Sequence, residues 1–94
     1  MAARIVYTFT TIAPGATTSV FIHGYGNREA VSYSAVPYNQ PGPADLFPQA
    51  HVTLTQGETF RWAVDGTVGR KVYITNHSPF MSVGVDILEI KESF

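Results

Sequence analysis

Residues 58–76, ETFRWAVDGTVGRKVYITN, set two alternating runs on either side of an Asp65-Gly66 step. Phe60, Trp62 and Val64 share one phase while Arg61 and Ala63 take the other; Val72 and Ile74 alternate in the same way with Tyr73 and Thr75. A period of two matches the pleat of a strand and not the turn of a helix. Asp-Gly between two such runs signals a hairpin, because tight hairpin turns need backbone with φ > 0. The segment predicts paired antiparallel strands with Phe60, Trp62 and Val64 inward. Trp62 is the expected packing anchor, and its truncation to alanine is then expected to cost about 3–5 kcal/mol.

The same period recurs in both directions from this hairpin. Arg4–Thr11, Thr18–His23, Glu29–Pro37, His51–Thr55 and Ser82–Lys91 each alternate. Ala13-Pro14-Gly15-Ala16, Gly24 to Arg28 and Gln56-Gly57 read as the reversals between strands. In the last run Val83, Val85 and Ile87 are in phase, and the pattern then moves to Leu88 and Ile90. Such a slip predicts a β-bulge or bend near Ile87–Leu88. Tyr38 to Pro48 is proline-rich and loop-like, and no connection is long enough to carry a crossover helix. The expected fold is all-β: a seven-stranded antiparallel β-sandwich, immunoglobulin-like or jelly-roll-like, forming a single domain over residues 1–94.

Composition narrows the function classes. The 94 residues carry no cysteine, which excludes a disulfide framework, a cysteine-ligated metal and a cysteine nucleophile. A formal charge of −1 with 14% charged residues argues against binding a nucleic-acid backbone, which needs a basic surface. No apolar run of about 20 residues is present to form a transmembrane helix. The start, MAARIVYTFTT, has no secretory-signal pattern, so a native Met1 implies a cytoplasmic protein and the compartment is otherwise open.

Motifs that would carry catalysis are weak. His23, His51 and His77 have no local metal-ligand spacing. Gly24-Tyr25-Gly26-Asn27-Arg28 lacks the third glycine of a phosphate loop and is followed by a strand. The carboxylates are dispersed, with Glu89 and Glu92 in a solvated C-terminal stretch, and Asn76-His77-Ser78 reads as a turn. No catalytic residue, metal or cofactor is therefore expected.

Seven strands in alternating directions would bring His23 to Arg28, Gln56-Gly57 and Asn76 to Phe80 to one pole. Tyr25, Asn27, Arg28, Asn76, His77 and Phe80 would meet there as a ligand-binding group of rings, amides and cationic donors, suited to neutral polyols or peptides. The other pole would hold Tyr38, Asn39, Gln40, Asp45 and Asp65, a thin oxygen set for calcium. Lys71 and Lys91 are the only lysines, so few residues are available to blunt sheet edges, and a homo-oligomer is expected. The functional expectation is a non-catalytic binding or interaction module that recognises a protein or neutral glycan, or assembles with itself, through loops and sheet faces. A lectin-like carbohydrate-binding domain and a structural subunit of a larger assembly are the alternatives.

Overall fold

The structure, a computed structural model, describes residues 2–26, 29–38, 50–79 and 81–93. Among the described residues six strands follow one another: β1 (Ala2–Ile12), β2 (Thr17–Tyr25), β3 (Glu29–Pro37), β4 (Val52–Arg61), β5 (Val68–Asn76) and β6 (Val83–Ser93). They form two antiparallel sheets of three strands, ordered β1-β6-β3 and β2-β5-β4, with no helix among the described residues. Among these residues no helix is long and apolar enough to cross a membrane.

The sheets face each other across a core drawn mainly from the two central strands. Val72 and Ile74 of β5 meet Val83, Val85 and Ile87 of β6, with Ile12 closing the cluster, and all six are 3% exposed or less. Branched aliphatic side chains suit this position because they pack well on a pleated surface. Phe9, Val20, Ile22, Tyr33, Val52 and Leu54 pack around them from the edge strands.

Where the expected turns exist, their chemistry is visible. Ala16 N–H donates to Ala13 O at 3.0 Å across Pro14-Gly15, with Gly15 at φ 73°. The β4–β5 hairpin closes through Trp62 N–H to Thr67 O at 2.8 Å and Gly66 N–H to Trp62 O at 2.9 Å. Inside it, Asp65 Oδ1 accepts from Thr67 N–H at 3.0 Å and Thr67 Oγ1–H at 2.8 Å. The Thr67 N–H holds the Asp65 carboxyl below its usual range.

Six strands replace the expected seven because Gln56-Gly57 is a bulge within β4 rather than a turn. The β4–β5 register runs from Val52↔Asn76 to Gln56↔Val72 and resumes at Thr59↔Arg70, with one residue more on β4. A single extra residue reverses which face every later side chain takes. Phe60 and Trp62 accordingly lie on the outer face at 41% and 42% exposure, and Val64 in the hairpin is 92% exposed. Trp62 does not anchor the core.

A bulge does lie at the level of Ile87–Leu88, but on the neighbouring strand. Ile5 pairs with Leu88 and Tyr7 with Ile87, leaving Val6 as the extra residue on β1, while the β3–β6 ladder is unbroken. β6 itself never changes phase. Glu89 occupies the next inward position after Ile87 and is 1% exposed, which corrects its expected solvated setting.

Candidate functional site

The described members of the expected ligand-binding pole, Tyr25, Asn76 and His77, do not come together. With six strands, the β2–β3 and β4–β5 connections share one end, and the β1–β2 and β5–β6 connections share the other. Tyr25 pairs with Val68 and Thr17 with Thr75, so Tyr25 and Asn76 stand at opposite ends of the β2–β5 ladder. At a rise of about 3.3 Å per residue that is roughly 25 Å. Asn27, Arg28 and Phe80 lie outside the described residues, as do Asn39, Gln40 and Asp45 of the second expected group. Tyr38 and Asp65, the remaining members of that second group, are at opposite ends as well, one after β3 and the other in the β4–β5 hairpin.

Asn76 is fully buried and spends its amide on the fold. Its Nδ2 donates to Ile12 O at 2.9 Å and Met81 O at 3.0 Å, and its Oδ1 accepts from Ser78 N–H at 2.8 Å. It ties β1, β5 and the approach to β6 together. Beside it the exposed His77 ring lies against His51, centroids 4.9 Å apart and planes tilted by 37°, and bonds Thr53 Oγ1 at 2.8 Å through Nε2. His77 thus pairs with His51 rather than with His23.

Tyr25 is 3% exposed. A register shift between Ile22 and Tyr25, with Gly24 at φ 97°, inserts an extra residue in β2 and turns the phenol inward. The Tyr25 hydroxyl donates to Glu89 Oε2, and lies 2.6 Å from the Tyr33 hydroxyl. Arg4 Nε pairs with the other Glu89 oxygen at 3.1 Å. Burial, then the Glu89 bond, pushes the Tyr25 pKa far above the ordinary phenol value; burial also raises that of Tyr33. Arg70 faces this cluster from β5. It bonds Thr59 Oγ1 at 3.2 Å, while its Nε is buried without a hydrogen-bond partner among the described residues. These groups seal one end of the interior.

The outer face of β2-β5-β4 carries a different arrangement. Phe21, Glu58, Phe60, Trp62 and Lys71 line a groove of about 290 Å³. Phe21 on one edge strand reaches across β5 to lie 5.5 Å from Phe60, tilted by 51°, and 5.5 Å from Trp62, tilted by 60°. The crossing depends on Gly69, which pairs with Phe60 and whose place would put a Cβ 2.6 Å from the Phe21 ring. The aromatic ring covers backbone that any larger residue would lift it from. At Gly57 a Cβ would likewise meet the Tyr73 ring at 2.5 Å.

Charge brackets these rings. Lys71 Nζ sits 5.3 Å from the Tyr73 ring centroid, and the Tyr73 hydroxyl donates to Glu58 Oε1 at 3.3 Å. The groove therefore has an apolar floor, one carboxylate and one ammonium. Alternation alone puts Phe60 and Trp62 in the core and so misses this site; the signal for it is Gly69, beside the alternating run of β5, since a glycine there points to a close approach. Among the described residues no three His, Asp or Glu side chains are grouped as metal ligands. No protein-family model matches the chain, and no curated protein or solved structure matches it either.

Proposed function

We propose that the protein is a non-catalytic binding module that takes a neutral saccharide on the outer face of β2-β5-β4. The observation that carries this reading is the groove of Phe21, Phe60, Trp62, Glu58 and Lys71. Exposed rings offer apolar surface to the C–H faces of a sugar ring, with bonding groups alongside for its hydroxyls. Glu58 accepts and Lys71 donates, and their charges cancel. A charged ligand would meet one of the two with like sign, whereas a polyol uses both.

The strand order supports the jelly-roll form of the expected sandwich. β1 pairs with β6 and β2 with β5, as when a long antiparallel ribbon is wound up, here with six strands in place of the usual eight. Lectin domains are among the users of that architecture, an analogy of fold and not of site.

Trp62 is the sole tryptophan and lines the groove, so its fluorescence reports on occupancy. Titration with a panel of neutral mono- and disaccharides should give a saturable emission change with at least one, at micromolar to millimolar concentration. Phe60→Ala should weaken that response at least tenfold. Silence across the panel at tens of millimolar removes the saccharide reading.

A further inference from the structure

We propose that a second copy of this chain pairs with the free edge of β2, joining two β2-β5-β4 sheets into one six-stranded sheet about a two-fold axis near Ser19–Val20. β2 has one ladder partner, β5, and among the described residues the other side of the strand has none in its own sheet. The Asn76 N–H to Ala16 O bond sets the alternation of the antiparallel ladder. Thr18, Val20 and Ile22 turn their main-chain groups toward β5, so Thr17, Ser19 and Phe21 turn theirs outward. Those outward N–H and C=O groups are a template for another strand.

The four edge strands are not equal in this respect. β1 is broken by register shifts at Ile5/Tyr7 and Phe9/Ile12 and carries Arg4. β4 is broken at Gln56/Thr59 and carries Glu58 and Arg61. β3 begins at Glu29, ends at Pro37, and runs closer to β4 of the facing sheet than β1 does to β2. β2 reads TTSVFIHGY, with no Asp, Glu, Lys, Arg or Pro, and its register is continuous from Thr17 to Ile22. Both lysines of the chain lie on the central strands, Lys71 on β5 and Lys91 on β6, where they protect no edge.

An unprotected edge accepts any extended chain, but this one is best matched by itself. Antiparallel pairing about a two-fold axis keeps the inward Thr18 and Val20 on the core side and the outward Thr17 and Phe21 on the groove side in both copies. No like charges meet across it. The joined sheet sets two aromatic grooves on one face, so a ligand with repeated units would gain avidity. The pairing does not depend on what the groove binds.

Sedimentation velocity over a hundredfold concentration range tests the pairing on the full chain. The expected result is a monomer–dimer equilibrium in the micromolar range. Ser19→Lys places a charge at the axis and should raise the dissociation constant at least tenfold, with an unchanged far-ultraviolet spectrum. Ser19→Pro removes one outward N–H and should do the same, which guards against a misfolded single variant. Ser34→Lys, on the β3 edge, should leave the dimer intact. A monomer at every concentration overturns the proposal. So does a dimer that survives both folded Ser19 variants, or one lost only in Ser34→Lys.

Discussion

Tyr25 and Glu89 bond across the interior, the phenol of one sheet donating to the carboxylate of the other, 64 residues further along the chain. With the Tyr25 proton committed to Glu89, the Tyr33 hydroxyl 2.6 Å away donates to Tyr25. A carboxylate at 1% exposure survives because Tyr25 and Arg4 both serve it. Loss of the acceptor strands a buried hydroxyl. Glu89→Ala is expected to lower stability by about 2–4 kcal/mol. Arg4→Ala should cost less, about 1–2 kcal/mol, since it takes one of two partners from the buried carboxylate but is itself 66% exposed and partly screened. Urea unfolding of the two variants measures the contrast.

The raised pKa values of Tyr25 and Tyr33 carry a sign for alkaline stability. The folded state keeps two protons that the unfolded chain releases near pH 10. Their contribution is intact below that pH and is lost as pH rises further, so the melting temperature should fall above about pH 10. Phenolate absorbance from Tyr25 should appear only together with the loss of the strand signal in circular dichroism. The acid side has the opposite sign. Glu29, bonded by Gly26 N–H and paired with Lys91 at 3.1 Å, has a lowered pKa, as does Asp65. What they contribute is present at neutral pH and lost as pH falls below about 4.

Trp62→Ala should separate stability from recognition. With the ring 42% exposed on the outer face, its truncation is expected to cost about 1 kcal/mol or less, well short of a core aromatic. Saccharide binding, followed by calorimetry because the fluorophore is gone, should be abolished. A loss of stability above about 3 kcal/mol would return Trp62 to the core.

Gly69→Ala reaches the groove from beneath. A methyl group 2.6 Å from the Phe21 ring must displace that ring from Phe60 and Trp62. Saccharide affinity should drop at least tenfold, and the change is expected to cost about 1–3 kcal/mol. Titration calorimetry and thermal melting read the two effects.

Asn76→Ala should be among the most damaging single changes. It leaves Ile12 O, Met81 O and Ser78 N–H without their partner at a fully buried position. The expected cost is about 2–4 kcal/mol, measured by chemical denaturation. Asn76→Asp should fall in the same range, because it offers no donor to the two carbonyls.

The β class, the antiparallel arrangement and the turns at Pro14-Gly15 and Asp65-Gly66 follow from alternation and turn chemistry alone. The faces do not follow so simply. Each one-residue bulge inverts the pattern beyond it, and nothing in a local run distinguishes Gly57 in a bulge from Gly57 in a turn. With Gln56-Gly57 as a reversal, Phe60 and Trp62 fall on the wrong side and Tyr25 in the wrong company. Glu89 was hidden for another reason. A carboxylate at an inward position reads as solvated until its partners, Tyr25 and Arg4, are brought from distant strands. Pairing between such separated residues is a property of the closed sheets, not of any window of sequence.

The central strands of the two sheets, β5 and β6, follow the other four described strands in sequence, and this orders events during synthesis. β1 and β3 each await β6, and β2 awaits β5; only β4 finds its ladder partner, β5, next to it in sequence. A nascent chain that has emerged only as far as Thr67 holds four strands with no neighbour to zip against. Assembly is thus deferred until β5 and β6 have left the ribosome, and refolding should be slow, milliseconds to seconds, as distant segments find one another.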